Sequence, residues 1–172
     1  MMRPTPKHKA PKLQFPFVDG NTFELGKEAP EHFTLIVFYR GLHCPVCKKY
    51  LQQLEELLPD FEKRGVNVVA VSMDTEKRAR LSRKDWELKN LTLGYDLDAE
   101  TAKSWGLFMS EGIKDAEPDV FSEPGLFLID NKTEVYYSSI TSNPWGRPYL
   151  PSFLEAIDFI LDKKYPARGE LV

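Results

Sequence analysis

Residues 34–47 of this chain read TLIVFYRGLHCPVC, and this stretch decides the fold that the sequence predicts. Its first six residues are β-branched, apolar or aromatic without alternation, which is typical of a central strand buried on both faces. A turn from Gly41 then leads into a helix whose apolar residues recur at spacings of three and four. The stretch therefore predicts a buried strand that delivers Cys44 and Cys47 to the start of a helix.

Strands and helices alternate on both sides of this stretch. Residues 107–123 have no clear periodicity and are predicted to be irregular, and Pro59 is expected to kink or interrupt the first helix. The order of elements predicts an α/β protein of three layers, in which helices flank a central mixed β-sheet. We predict a hairpin over 15–25, strands at 34–39, 66–73, 91–95, 126–129 and 135–140, and helices at 47–61, 76–89, 99–105 and 151–163.

The length of 172 residues predicts one domain, which we place at residues 15–164. Residues 1–14 are rich in proline and lysine and are expected to form a loosely ordered arm, and residues 165–172 form a tail. The chain has 23 basic and 26 acidic residues, a formal charge of −3. Because there is no basic excess to neutralise phosphates, this composition argues against a nucleic-acid partner.

The sequence also indicates in which cellular compartment the protein works. The N-terminal residues have no apolar core of the kind found in secretory signals, and the longest strongly apolar stretch has seven residues where a membrane span needs about 20. Two cysteines are too few to staple a secreted domain. We therefore expect a cytoplasmic protein with no membrane partner, in which a close pair of cysteines serves chemistry.

The spacing of the two cysteines gives each a separate task. Cys44 is expected at or beside the N-cap of the helix, where unpaired amides and the helix dipole stabilise a thiolate. Pro45 suits the first helical turn, and Cys47 follows one turn later on the same side. A thiol at Cys47 can attack a mixed disulfide formed at Cys44. The alternative interpretation is a pair of ordinary core cysteines.

The motif and two later segments resemble a known family. The sequence Phe-Tyr-Arg-Gly-x-x-Cys-Pro-x-Cys over residues 38–47, GVNVVAVS over 65–72 and EPGLFLID over 123–130 are similar to the peroxiredoxin-like branch of the AhpC/TSA (redoxin) family. The resemblance spans about residues 15–162 and implies a thioredoxin-like fold. It implies a thiol-dependent oxidoreductase without cofactor or metal, which cycles a Cys44–Cys47 disulfide in thiol–disulfide exchange or antioxidant hydroperoxide reduction.

The same resemblance implies the reaction partners. The electron donor would be a thiol of the thioredoxin, glutaredoxin or glutathione type, the substrate a hydroperoxide or a protein disulfide, and the assembly a homodimer. Two alternatives from other classes stay open at this point: a thioredoxin-fold binding or scaffold module, and a metal-binding domain without redox turnover. The metal-binding alternative is disfavoured because a zinc site needs four ligands and the histidines, at positions 8, 32 and 43, all precede the cysteine pair.

The chain departs from true peroxiredoxins at their catalytic positions. Their pattern is Pro-x-x-x-Thr-x-x-Cys with a distant arginine, and in that register Cys44 replaces the threonine, Cys47 is the peroxidatic cysteine and Pro124 replaces the arginine. In the thioredoxin register Cys44 attacks and Cys47 resolves. Because the peroxide-orienting groups are missing, we expect weak peroxidase activity beside competent thiol–disulfide exchange.

Several neighbours of the cysteines are further candidates. A charged His43 would lower the pKa of Cys44, or it is an exposed loop residue without a role. Pro124 lies where thioredoxin folds hold a cis-proline, although a trans-proline opening a strand is the alternative. Arg147 is a second candidate for a peroxide-binding arginine that the sequence cannot place. We assign Cys44, Cys47 and Arg40 as catalytic candidates, and His43, Pro45, Glu123 and Pro124 as substrate-binding candidates.

Overall fold

The computed structural model describes residues 3–171 and contains a central sheet with helices packed on it. Its helices are α1 (Pro45–Lys63), α2 (Glu76–Asp85), α3 (Ala99–Ser104) and α4 (Leu150–Lys163). Its strands are β1 (Gln14–Pro16), β2 (Thr22–Glu24), β3 (Phe33–Phe38), β4 (Val66–Val71), β5 (Thr92–Gly94), β6 (Met109–Glu111), β7 (Val120–Ser122), β8 (Gly125–Asp130) and β9 (Val135–Ile140). The predicted N-terminal hairpin is present as β1 and β2.

The central sheet has five strands in the order β5-β4-β3-β8-β9. Strands β3, β4 and β5 run parallel, whereas β8 is antiparallel to β3 and β9 is antiparallel to β8. Strand β3 lies in the middle, and all six of its residues are buried. The predicted mixed sheet is therefore confirmed, and its central strand leads directly into the cysteine motif.

The side chains of β3 divide the protein into layers. Leu35 and Val37 belong to an apolar cluster shared with helices α1 and α4, whereas Ile36 and Phe38 belong to a second cluster shared with helix α3 and the N-terminal hairpin. Because alternate residues of a strand point to opposite faces, one continuous apolar run supplies both clusters. The three-layer α/β architecture is thereby confirmed.

The prediction that residues 107–123 are irregular is wrong. Strands β6 and β7 pair there as an antiparallel ribbon, with Ser110 opposite Phe121. Each strand has only three residues, which is too short to produce a period in the sequence. The Phe121 ring packs 4.7 Å from the His43 ring, so the ribbon is fixed by a contact with the turn before α1.

Two helices differ from their predicted bounds. Helix α1 continues through Pro59 to Lys63, because its buried face, which includes Leu54, Leu58 and Phe61, packs on the sheet throughout its length. Helix α2 ends at Asp85 instead of continuing to residue 89. Glu87 has a φ of 57°, a left-handed conformation that a helix cannot continue through.

The N-terminal arm is more ordered than its composition predicts. The Lys7 amide donates to the Val135 carbonyl at 2.8 Å, and the Val135 amide donates to the His8 carbonyl at 3.0 Å. The Lys7 ammonium also lies 2.7 Å from a carboxylate oxygen of Glu170 in the C-terminal tail. The arm therefore covers part of the edge strand β9. Among the helices of residues 3–171, none combines the length and apolar character needed to cross a membrane.

We expect the Gly94→Ala substitution to destabilise the protein, because an added Cβ would lie 2.2 Å from the Phe15 ring. Overpacking of this kind costs about 1–3 kcal/mol of unfolding free energy. Urea unfolding of Gly94→Ala, Phe15→Ala and the double variant measures it. The double variant should lose less than the sum of the single losses, because removing the ring removes the clash; strict additivity would contradict this contact.

Candidate active site

Cys44 occupies the junction between the central strand and the first helix. It is the N-cap of α1, with an extended backbone (φ −102°, ψ 103°), and Pro45 is the first residue of the helix. The Cys47 amide donates a hydrogen bond to the Cys44 sulfur at 3.2 Å. The sulfur thus takes the place of the side-chain oxygen that usually caps a helix, and it faces the positive end of the dipole.

A buried aspartate, Asp74, holds the turn that precedes Cys44. The Leu42 amide donates to its carboxylate at 2.8 Å, and the Arg78 Nε donates at 2.9 Å. Gly41 has a φ of +134°, and a Cβ at this position would lie 2.7 Å from the Asp74 carboxylate. Glycine is therefore required there. Sequence reasoning did not assign Asp74 to the site, although its position directly after the predicted strand 66–73 could have indicated a role there.

The two thiols have opposite acid strengths. A hydrogen bond from the Cys47 thiol lowers the pKa of Cys44 from 9.0 to about 6, helped by the Cys47 amide, Arg40 and the charge of Arg147. Burial raises the pKa of Cys47 well above its ordinary value. Near neutral pH, Cys44 is therefore the thiolate and Cys47 is the thiol that stabilises it.

Neither cysteine is exposed. The relative exposure is 1% for Cys44 and 0% for Cys47. Both are free thiols within the apolar cluster that the sheet shares with helices α1 and α4. The helix start buries the capping sulfur together with the Cys47 amide that donates to it.

Arg40 lies in a mostly buried setting beside Cys44. Its Nε is 3.1 Å from a carboxylate oxygen of Glu123, and the two side chains are only 19% and 5% exposed. Its guanidinium lies 4.8 Å from the centre of the Phe121 ring. The other Glu123 oxygen accepts a hydrogen bond from the Ser110 hydroxyl at 2.7 Å. The β6–β7 ribbon thus supplies the groups that surround Arg40.

Arg147 approaches the second cysteine from the loop before α4. Its Nη2 lies 3.5 Å from the Cys47 sulfur and donates to the Pro144 carbonyl at 2.9 Å. Its guanidinium lies 4.6 Å from the centre of the Tyr50 ring, and the Tyr50 hydroxyl donates to the Pro148 carbonyl at 2.6 Å. The contact joins residues 100 positions apart, so the sequence could only name Arg147 as a candidate.

The other candidate residues have different surroundings. Burial, followed by the charge of Arg40, lowers the pKa of His43, so its imidazole is neutral at pH 7. A charged His43 that stabilises the thiolate is therefore not supported. Pro45 is exposed at the helix start. Pro124 is buried next to β8 and its peptide bond is trans, which decides between the two alternatives raised by the sequence.

Several buried polar atoms at the site have no hydrogen-bond partner within the described residues: both ring nitrogens of His43, Ser122 Oγ and Arg147 Nη1. Buried polar groups in proteins are usually paired, so these atoms are able to bond to a water molecule or another polar molecule. No group of three or more His, Cys, Asp or Glu side chains in residues 3–171 is arranged to hold a metal ion.

The central mixed sheet with its flanking helices is a thioredoxin-like fold, and the two cysteines lie at the start of its first helix. The sequence profile of the AhpC/TSA family matches residues 6–138, and the chain belongs to this family. The resemblance identified in the sequence is thus confirmed, and the family assignment favours an enzyme over a scaffold or a metal-binding domain.

Individual relatives agree with this assignment. A Mycobacterium tuberculosis protein named as a peroxiredoxin is 31% identical over 106 residues, which is 62% of this chain and 66%, just under two thirds, of that protein. Alkyl hydroperoxide reductase C of Helicobacter pylori is 26% identical over 174 residues, covering 94% of this chain and 82% of that protein. The crystal structure of a peroxiredoxin-like protein from Aquifex aeolicus has a TM-score of 0.75 at 20% identity, covering 93% and 90% of the two chains.

We expect the reduced protein to titrate one thiolate near pH 6, because hydrogen bonds from Cys47 and Arg40 lower the pKa of Cys44. Thiolate absorbance at 240 nm measures this. Cys47→Ser keeps a hydroxyl donor and should preserve most of the shift, whereas Cys47→Ala should raise the pKa of Cys44. Equal titrations of the Ser and Ala variants would contradict the role of the Cys47 side chain.

The same shift predicts a pH dependence of stability. Because the folded pKa of Cys44 is below that of the unfolded thiol, the thiolate's contribution is complete above pH 9 and is lost as the pH falls through 6. The unfolding free energy of the reduced protein minus that of Cys44→Ser should therefore rise between about pH 6 and pH 9. Urea unfolding across this range tests the sign, and a flat or falling difference would contradict it.

Proposed function

We propose that this protein uses Cys44 as an attacking thiolate and Cys47 as the resolving thiol to reduce disulfides and, more slowly, hydroperoxides. The observation that carries the proposal is the hydrogen bond from the Cys47 amide to the Cys44 sulfur at the start of α1. This bond supports the thiolate and places both sulfurs one helical turn apart. Membership of the AhpC/TSA family supports the same chemistry.

In the first step, the Cys44 thiolate attacks one sulfur of a disulfide or the terminal oxygen of a hydroperoxide. A disulfide yields a mixed disulfide at Cys44 and releases a thiolate. A hydroperoxide yields a sulfenic acid at Cys44, and the O–O bond breaks to release an alkoxide that takes a proton and leaves as an alcohol or water. In this proposed step, the positive charge of Arg40, which lies beside Glu123, stabilises the negative charge that develops on the leaving group.

In the second step, Cys47 attacks the oxidised Cys44 sulfur. The Cys44–Cys47 bond forms, and the bound thiolate, or water from the sulfenic acid, leaves. Because burial keeps Cys47 protonated, the thiol must lose its proton for this step. Arg147, with Nη2 3.5 Å from the Cys47 sulfur, favours that loss by stabilising the developing charge.

The relative rates of the two substrates follow from the departures from the peroxiredoxin pattern. Dedicated peroxidases orient the peroxide with a threonine hydroxyl and an arginine, which here are Cys44 and Pro124. Loss of one preorganised donor costs about 10²–10³ in rate at comparable oxyanion sites. We propose disulfide exchange as the faster activity, with Arg40 as the remaining charge-stabilising group on the Cys44 side.

We propose His43, Glu123, Pro124 and Pro45 as substrate-binding residues, the first three within the protein and Pro45 at its surface. The unpaired ring nitrogens of His43 support a contact with a polar substrate, because the neutral ring can donate or accept a hydrogen bond. Glu123 and the buried Pro124 flank the site from the strand β8 side. Pro45 is exposed at the helix start, where it would contact a substrate that approaches Cys44 from outside.

The proposed cycle ends with reduction of the Cys44–Cys47 disulfide by a thiol donor of the thioredoxin, glutaredoxin or glutathione type. Because the dithiol must be regenerated, we propose that the protein works in a reducing compartment, namely the cytoplasm. A homodimer is likewise proposed from the family resemblance, and sedimentation of the reduced and oxidised protein would test it.

Trapping the intermediate tests which cysteine attacks. With 5,5′-dithiobis(2-nitrobenzoate) as the disulfide, Cys47→Ser should accumulate a stable mixed disulfide at Cys44, whereas Cys44→Ser should react far more slowly. The wild type should release two equivalents of thiolate and end with a Cys44–Cys47 disulfide, two mass units lighter than the dithiol. A mixed disulfide or sulfenic acid that accumulates on Cys47 would instead support the peroxiredoxin register.

Arg147→Met should slow the second step. Losing a hydrogen bond to a charged group costs about 1.5–3 kcal/mol, so we expect the Cys44 mixed disulfide to persist about 10- to 150-fold longer. Release of the second equivalent of thiolate in a stopped-flow experiment measures this. Arg168→Met is a matched control, because Arg168 is exposed in the C-terminal tail. Its hydrogen bond to a hydroxyl and its contact with an aromatic ring are both with Tyr165. An equal slowing in both variants would contradict a specific role for Arg147.

A further inference from the structure

Two aromatic side chains on the loop before α4 are exposed next to the dithiol. Trp145 is 76% exposed and Tyr149 is 66% exposed, and both lie on the segment that holds Arg147 beside Cys47. Tryptophan and tyrosine are enriched where proteins contact each other, because their large rings lose water on contact and lose little conformational freedom. We call Trp145 and Tyr149 the aromatic platform.

The loop that carries the aromatic platform is held by its own hydrogen bonds. The Asn143 Oδ1 accepts from the Trp145 amide at 2.9 Å and from the Gly146 amide at 3.2 Å. The Arg147 amide donates to the Trp145 carbonyl at 3.1 Å, and its Nη2 donates to the Pro144 carbonyl at 2.9 Å. Because the backbone is already fixed, a partner that covers the Trp145 ring orders little of the loop, which keeps the entropic cost of binding low.

Two lysines at the start of α1 add positive charge close to the platform. Lys48 and Lys49 follow Cys47 directly, and within residues 3–171 neither forms an ion pair with a carboxylate. The next residue is Tyr50, whose ring centre lies 4.6 Å from the Arg147 guanidinium, so the start of the helix and the loop are neighbours. We call Lys48 and Lys49 the basic helix start.

The charge of this surface differs from that of the whole chain. Residues 41–50 and 141–152 together contain three basic residues and no aspartate or glutamate, whereas the chain has a formal charge of −3. Residues 109–122 of the β6–β7 ribbon, which packs on His43, instead contain four acidic residues and one lysine. A surface that has positive charge and no carboxylate attracts an acidic partner.

We infer that the aromatic platform and the basic helix start form a docking surface for a partner protein whose disulfide lies on a segment with acidic and apolar residues. Apolar side chains of the segment cover the platform, and its carboxylates face the two lysines. In the exchange, the Cys44–Cys47 bond forms while the partner's disulfide is reduced to two thiols. The inference rests on the proposed function and deepens it, because it identifies the partner of the same site as a protein.

Binding without chemistry tests the docking surface. The probe is the fluorescently labelled peptide Glu-Leu-Glu-Ser-Gly-Gly-Ser-Glu-Leu-Glu, in which serines stand for the cysteines of a partner, and a second peptide has lysine in place of each glutamate. The Glu peptide should bind the reduced protein about tenfold more tightly than the Lys peptide, and added salt should reduce this preference. Fluorescence anisotropy measures both dissociation constants, and equal binding of the two peptides would overturn the inference.

Variants of the platform test the role of the exposed rings. Trp145→Ala removes the ring but keeps the backbone hydrogen bonds of the loop, and it should weaken binding of the Glu peptide about tenfold, as for a tryptophan at the centre of an interface. Phe159→Ala is the matched control, because Phe159 is 52% exposed but lies about 15 Å beyond Tyr149 along α4. Unchanged binding in Trp145→Ala, or an equal loss in Phe159→Ala, would contradict the platform.

Variants of the basic helix start test the role of charge. The double substitution Lys48→Gln and Lys49→Gln should remove most of the preference for the Glu peptide over the Lys peptide. Lys63→Gln is the matched control, because Lys63 is an exposed lysine at the other end of the same helix. A preference that survives in the double variant would contradict the assigned charge complementarity.

The rate of reduction separates this inference from the proposed function. The same Glu peptide with a disulfide between cysteines at the two serine positions, and the small neutral bis(2-hydroxyethyl) disulfide, are each mixed with the reduced protein. Trp145→Ala should slow reduction of the peptide about tenfold and leave the small disulfide unaffected, because the small molecule does not extend to the platform. If neither disulfide is reduced, the proposed function fails while the binding measurements still decide on the docking surface; equal slowing of both disulfides in Trp145→Ala would overturn the inference alone.

Discussion

The hydrogen bond from the Cys47 amide to the Cys44 sulfur is the interaction on which the rest of the site depends. A helix begins with amides that have no partner in the helix, and here a thiolate meets that requirement in place of the usual oxygen side chain. The same bond therefore caps α1 and helps the Cys47 thiol, whose effect is larger, to lower the pKa of Cys44. Structure and reactivity are coupled, because oxidation of Cys44 to a disulfide removes the charge that the helix start stabilises.

The supports of this bond come from distant parts of the chain. Strand β3 fixes the position from which the turn departs, and Asp74, three residues after β4, holds the turn through the Leu42 amide. The β6–β7 ribbon brings Phe121 and Glu123 to Arg40. Cys44 is thus positioned by three neighbouring segments, which explains why an acidic thiol can be maintained in a buried place.

The site is asymmetric in charge. Arg40 lies on the side of Cys44 and has a carboxylate partner, whereas Arg147 lies on the side of Cys47 and packs on the Tyr50 ring without a carboxylate partner among its observed contacts. An arginine that is free of a carboxylate suits a thiol whose negative charge exists only during its attack.

The sequence by itself determined the three-layer architecture with its mixed sheet, the N-terminal hairpin and the position of Cys44 at the start of a helix. Each follows from local periodicity or from the chemistry of helix caps. Local patterns could not reveal the β6–β7 ribbon, whose strands are too short for a period, nor the continuation of α1 through Pro59, which packing of its buried face maintains. Only the tertiary structure decided that Arg147 lies beside Cys47, that both thiols are buried, and that Asp74 holds the turn. These facts depend on contacts between residues such as Arg147 and Cys47, and a separation of 100 residues leaves no local signal in the sequence.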